Sequence, residues 1–332
     1  MITDLFAVAS GVAADAVTAA IPPACRRALE PPPPTRREGQ DVVIECGPWA
    51  PRAATRHLVP AFASLSRADS SVRFEVSVLA GGAWSAWIAT ATLGPAEFPP
   101  LPSADPALGV DVDVFTCAQP AERVRLRVRL RAGDPTSMLA APWLLTLSAC
   151  DLGPLAPGGD GDAARLSVPA LSQMAEGSAL AARICSPTSV AMVLGYLGAR
   201  ADVQRLAADM FHPSLDIFGV WPAAIRAAGR RGVLGYLLRF PDWASAHWCL
   251  AHGLPVIASV RYGAGELNGA AIAQTTGHLL VLTGDEQGDV LVNDPAAAEP
   301  SAVPRRYRRA ELVRVWLERA GVGYVLFRPG GR

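Results

Sequence analysis

Between residues 41 and 150 apolar and polar positions alternate with the two-residue period of a strand. Asp41–Cys46, Val72–Leu79, Trp84–Leu93, Val110–Cys117 and Arg123–Arg131 are the clearest strands. Val124-Arg125-Leu126-Arg127-Val128-Arg129-Leu130-Arg131 alternates without a break, so one face is apolar and the other carries four arginines. Gly, Pro and Asp clusters separate the strands at short, regular spacing, which predicts an all-β sandwich. The arginine row reads as a solvated outer face. Trp84 and Trp87 have odd spacing, which sends their rings to opposite faces, one into the core.

The period changes after Leu152–Gly161, a Gly- and Pro-rich stretch that marks the best domain boundary. Helices are expected at 187–198, 202–210, 221–231, 242–252 and 309–319. Strands are expected at 234–239, 255–260, 278–283, 289–293 and 323–328. Upstream, the Ala-rich residues 1–20 suit a helix, and Pro31–Pro34 stiffens residues 21–40 into a linker or a wrapping segment. The organisation is therefore an N-terminal segment with a Pro-rich linker (1–40), a β-sandwich (41–150) and an α+β domain (162–332).

Composition adds mostly exclusions. Hydrophobic residues make up 51% and charged residues 18%, enough apolar content for a substantial core. Formal net charge is zero and every basic residue is Arg, a coding bias that gives no electrostatic case for nucleic acid or an anionic membrane. The six cysteines lack CxxC pairs and zinc-like His spacing. Spacing leaves open a disulfide among Cys25, Cys46, Cys117 and Cys150. The N-terminus lacks the basic n-region of a secretory signal, and no run reaches the roughly 18–20 apolar residues of a membrane span. The chain reads as soluble and cytoplasmic.

The candidate chemistry lies in the second half. Cys185 precedes a helix start signal, with Ser186 suited to the N-cap and Pro187 to the first helical position. The positive end of the helix dipole favours a thiolate, the form that attacks carbonyls. His278 opens the strand Leu279–Thr283, Gly284–Gly288 reads as a turn, and Asp289–Asn293 returns to Asp294. An antiparallel hairpin about that turn sets His278 opposite Asp294, so the carboxylate can hold one ring nitrogen while the other faces a thiol. Asn293 is the rival orienter and faces the other side of its strand. Asp285 and Asp289 belong to a solvated turn tip. His247 and His252 have no acidic partner in view, Cys249 reads as an inert buried thiol, and Trp221, Trp243 and Trp248 read as packing residues. Tyr262–Gly269 is Gly-rich without a following Gly-Lys-Ser/Thr, so it suits a mobile loop bordering the cleft better than a phosphate loop.

The ordered set Val168–Gln173, Cys185-Ser186-Pro187-Thr188-Ser189, Gly277-His278 and Val292-Asn293-Asp294-Pro295 resembles the C39-like cysteine peptidases. Arg306-Tyr307 and Glu311–Trp316 resemble the closing segment of that family. The resemblance spans roughly residues 165–328. It implies a papain-like α+β fold, Cys185 as nucleophile, His278 as base, Asp294 as orienter and Gln173 as the oxyanion-hole side chain, with no cofactor and a peptide or related amide as substrate. Ser186 stands where the family usually has Gly, and the gap from Gln173 to Cys185 suggests a loop at 174–184 near the cleft. No transporter domains accompany the segment, so double-glycine leader processing is not inferred. An acyltransferase would use the same thioester chemistry. A third reading is a silent binding protein whose sandwich recognises a glycan or a protein.

Overall fold

The computed structural model describes residues 1–102, 104–156, 165–176, 179–199 and 201–330. Residues 157–161 of the expected domain boundary and 177–178 of the expected cleft loop lie outside the described residues. In chain order the first half contains β1 (Thr3–Ser10), α1 (Ala14–Ala19), β2 (Arg26–Glu30), β3 (Thr35–Glu38), β4 (Asp41–Trp49), β5 (Thr55–Ser64) and β6 (Ser70–Ala80). There follow β7 (Ala83–Trp84), β8 (Ile88–Ala89), β9 (Ala104–Asp105), β10 (Leu108–Asp111), β11 (Val114–Ala121), β12 (Arg123–Ala132), α2 (Pro135–Ala140) and β13 (Trp143–Cys150). The second half adds α3 (Cys185–Tyr196), α4 (Val203–Met210), α5 (Trp221–Gly229), β14 (Leu234–Arg239), α6 (Trp243–Ala251) and β15 (Val256–Tyr262). It closes with β16 (Thr275–Glu286), β17 (Asp289–Asn293), β18 (Pro304–Arg308), α7 (Arg309–Val315) and β19 (Val322–Phe327).

The strands form three sheets. The first has the order β2-β1-β13-β5-β11-β10-β9, the second β3-β4-β12-β6-β7 with β8 on β6, and the third β14-β19-β15-β16-β17-β18. Apart from the parallel β1–β2 pair, the pairings are antiparallel.

Every residue of β13 is buried, and β5 is buried along nearly its whole length. Neither strand therefore shows the alternation of a half-solvated strand. The reason is that β14 and α5 lie against β5, and β14 also against β13. Ser148 of β13 accepts a hydrogen bond from the Arg239 backbone N–H of β14 (3.0 Å), while Leu147 on the opposite pleat is also buried. Gly229 is required by this packing, since a Cβ there would stand 2.6 Å from the Ser64 carbonyl oxygen.

Several expectations need correction. Thr3–Ser10 is a strand paired with β13, so only Ala14–Ala19 of the expected Ala-rich helix is helical. The stretch expected to be a linker supplies β2 and β3. Trp84 and Trp87 share the arginine face, because β7 ends at Trp84 and β8 begins at Ile88, which breaks the alternation between them. The Arg125 guanidinium stands 3.9 Å from the Trp84 ring centroid and 4.9 Å from that of Trp87, and Arg127 stands 3.7 Å from Trp87. The arginine row is no open solvated face: Arg127 pairs with Glu45 (2.8 Å), Arg129 with Glu75 (2.8 Å) and Arg131 with Asp41 (2.7 Å). Each of the six cysteines is a free thiol. Among the described residues no helix is long and apolar enough to cross a membrane.

Candidate active site

Cys185 begins α3, one position earlier than Ser186, the expected cap. Ile184 stands at the N-cap and offers no side-chain acceptor, and the Thr188 hydroxyl donates back to the Ile184 carbonyl (2.8 Å). Pro187 still fits, because the N–H groups of the first turn have no intrahelical acceptor. Ser186 instead packs inward, its Oγ 3.3 Å from the Tyr324 hydroxyl. The helix lies on β16, the strand that carries His278.

The β16–β17 hairpin is tighter than expected. Glu286 pairs with Asp289, leaving Gln287 and Gly288 as a two-residue turn with positive φ at both (53° and 81°). A bulge between Leu282 and Gly284 shifts the register, and Val281 pairs with Asn293. Continuing that register sets Asp294 across from Leu280, diagonal to His278. The pair nevertheless forms, with His278 Nε2 2.8 Å from Asp294 Oδ1. Asp294 Oδ1 also accepts from the Ala296 N–H (3.0 Å), and Oδ2 accepts from the Tyr307 hydroxyl (2.7 Å). With Nε2 committed to Asp294, Nδ1 remains for the side-chain hydrogen bond between His278 and Cys185.

His278 and Asp294 are buried, whereas Cys185 is half-buried. Burial alone would raise the Cys185 pKa, but the hydrogen bond and positive charge of His278, helped by the Leu279 and Ser186 N–H groups, bring it below the ordinary thiol value. For His278 burial opposes the charged form, and the hydrogen bonds and charges of Asp294 and Cys185 outweigh it, raising the pKa to about 10. Burial likewise opposes ionisation of Asp294, yet His278, Tyr307 and Ala296 hold it below the usual carboxylate range. The three shifts together favour a thiolate–imidazolium pair steadied by a buried carboxylate.

Gln173 sits in a short 3-10 turn (Gln173–Glu176) beside the Asp294–Pro295 corner, its backbone N–H donating to the Pro295 carbonyl (2.9 Å). Its Nε2 donates to the Ala181 carbonyl (2.8 Å), which takes one of two amide hydrogens, and its Oε1 is buried without a partner. Asn293 turns away from His278 and donates to the Val168 (3.0 Å) and Pro169 (3.2 Å) carbonyls, pinning the segment that leads to Gln173.

A cavity of about 270 Å³ opens at Cys185, walled by Ile217, Phe218, Trp221, Ser259 and Leu279. Trp221 therefore borders the cleft and is not merely a packing residue. The Gly-rich loop Tyr262–Gly269 is tied down, with Glu266 paired to Arg319 (2.6 Å) and the Asn268 side chain donating to Glu311 (2.7 Å). Among the described residues no group of three or more His, Cys, Asp and Glu side chains could hold a metal ion.

Two groups escaped the sequence reading. Tyr307 stands in the closing-segment motif, and as the lone aromatic in the run Pro304-Arg305-Arg306-Tyr307-Arg308 it points inward, where its buried hydroxyl needs a partner. Asp285, expected at a solvated tip, is fully buried because the turn lies two residues later. It accepts from Trp243 Nε1 (2.9 Å) and Arg309 (3.3 Å) and lies 3.4 Å from His247 Nδ1, which does have an acidic partner.

The arrangement is a thiol–imidazole–carboxylate site in a mixed α+β fold. Residues 165–324 match the family model described as the Peptidase_C39 like family, and this part of the chain is similar to the C39-like peptidases. Similar solved structures include a double glycine motif protease from an AMS/PCAT transporter in complex with its leader peptide. That similarity has 20% identity over 53% of this chain and 97% of the other, with a TM-score of 0.35. A structure described as a C39-like peptidase from Bacillus anthracis shows 18% identity over 51% of this chain and 98% of the other, with a TM-score of 0.40. The peptidase domain of Streptococcus ComA, a bifunctional ABC transporter, shows 16% identity over 44% of this chain and 93% of the other, with a TM-score of 0.31. No curated protein matches the chain.

Proposed function

We propose that the chain is a cysteine peptidase that hydrolyses a peptide or related amide bond at Cys185. The observation that carries this reading is the 2.8 Å contact between His278 Nε2 and Asp294 Oδ1, which fixes the ring so that Nδ1 serves the thiol. The Cys185 thiolate adds to the carbonyl carbon. Charge then develops on the carbonyl oxygen, where the free amide hydrogen of Gln173 and the Cys185 backbone N–H are the candidate donors. Collapse expels the amine, which takes its proton from His278 and leaves a thioester. His278 then removes a proton from water, hydroxide adds to the thioester, and the thiolate leaves as the acid is released. Asp294 steadies the imidazolium in both halves of the cycle. We further read the first two sheets as a β-sandwich and residues 162–332 as the catalytic domain.

Iodoacetamide labelling with peptide mapping across about pH 4–9 tests the assignment on wild type and His278→Ala. Cys185 should label well below the free-thiol pKa of about 8.5 and lose that advantage without His278. Wild-type labelling at pH 6 no faster than that of glutathione would overturn it.

A further inference from the structure

The helix α5 lacks a cap of its own. Its N-cap position is Val220, which has no side-chain acceptor, and its first residues are Trp221 and Pro222. Pro222 has no N–H to satisfy, so the first exposed donor of the helix is the Trp221 N–H. That N–H donates to Asp113 Oδ2 at 2.6 Å, an acceptor supplied from 108 residues earlier in the chain. Asp113 is itself buried, 6% exposed.

A second observation concerns how Asp113 arrives there. Asp111 pairs with Val114, so Val112 and Asp113 form a two-residue turn between β10 and β11. Val112 has φ +55°, a left-handed conformation that a β-branched side chain rarely adopts. Such strain persists where the surroundings fix it, and here the turn is seated against the start of α5. Trp221 lines the cavity at Cys185. Tyr324 adds a link on the other side, its hydroxyl 3.3 Å from the Oγ of Ser186, the residue that follows Cys185. Burial raises its pKa against the Ser186 hydrogen bond, and the Asp113 charge acts in the same direction as burial.

We infer that Asp113 is a positioning residue of the substrate cleft, a cap lent by the β-rich half that orients Trp221 beside Cys185. The inference rests on the peptidase reading for the meaning of the cleft, though not for the cap itself. The contact needs only an acceptor oxygen, so an amide should replace the carboxyl. Burial raises the Asp113 pKa to about 7, which makes the protonated acid accessible, and its carbonyl oxygen also accepts.

Three measurements on Asp113→Ala and Asp113→Asn test it: hydrogen exchange at the first turn of α5, iodoacetamide labelling of Cys185, and inactivation by N-acetyl-alanyl-alanyl chloromethyl ketone. Loss of a cap should speed exchange at Trp221 by roughly two- to thirtyfold in Asp113→Ala. Inactivation by the peptidyl probe should slow while labelling by the small iodoacetamide stays at the wild-type rate, and Asp113→Asn should restore both. If Asp113→Ala does not fold, Asp113→Ser takes its place, with an effect of the same sign. Wild-type exchange and wild-type peptidyl inactivation in the Ala or Ser variant would overturn the inference, as would an Asn variant as impaired as Ala. Failure of the peptidase reading is distinct: wild-type Cys185 would then label like an ordinary thiol, while exchange at Trp221 would still decide the cap.

Discussion

Tyr307→Phe removes one oxygen from the site and leaves its ring in place. The lost hydroxyl donates to Asp294 Oδ2 at 2.7 Å, and both residues are buried. A hydrogen bond to a charged group contributes about 1.5–3 kcal/mol. If all of it serves the ionised form of Asp294, the carboxyl pKa rises by about 1–2 units at 1.36 kcal/mol per unit. Asp294 starts below 3.8, so it stays ionised at neutral pH and activity there should change little. The acid side is different. Protonation of Asp294 withdraws support from the imidazolium, and the thiolate is lost with it. Cys185 labelling followed from about pH 3 to 8 should show the acid limb of Tyr307→Phe displaced upward by as much as those 1–2 units. A uniform fall at every pH would indicate general loosening of the site, and superimposable profiles would refute the coupling altogether.

Gln173→Ala should lower kcat by roughly 10²- to 10³-fold, the usual cost of one oxyanion donor, with iodoacetamide labelling of Cys185 unchanged; a parallel loss of labelling would assign Gln173 to thiol activation. The paired site also makes stability depend on pH in two windows. The Asp294 contribution is present above its unfolded value near 3.8 and is lost as pH falls through its lower folded value. The His278 contribution is complete below 6.5 and is lost as pH rises through about 10. Urea midpoints of Asp294→Asn should therefore decline less than wild type at both ends, and identical profiles would contradict the shifts. Asp285→Ala removes the acceptor of the buried Trp243 Nε1–H and should cost about 1–3 kcal/mol in urea unfolding. A loss under about 1 kcal/mol would mean that water replaces the carboxylate.

Much of the second half was legible because its strands and helices are bounded by breakers. The helices at 203–210, 221–229 and 243–251 start within a residue of their expected positions. The strands β1, β5 and β13 were not legible, since a sheet covered on both faces carries no alternation to read. The residues at the site were legible as types in an order, and the structure brings His278 and Asp294 together by a route different from the one expected. Spacing alone suggested a symmetric turn about residue 286, whereas the positive-φ pair Gln287-Gly288 and a bulge reset the register. Tyr307 and Asp113 act across 13 and 108 residues of chain, and no local pattern points from either to its partner.

The doubly covered first sheet has a consequence for how the molecule melts. Its middle layer is common property, so neither half can open without baring apolar surface on the other. Calorimetry should record one shared transition in place of two. A fragment beginning at residue 162 would expose the undersides of β14 and α5, and would be expected to aggregate when produced alone.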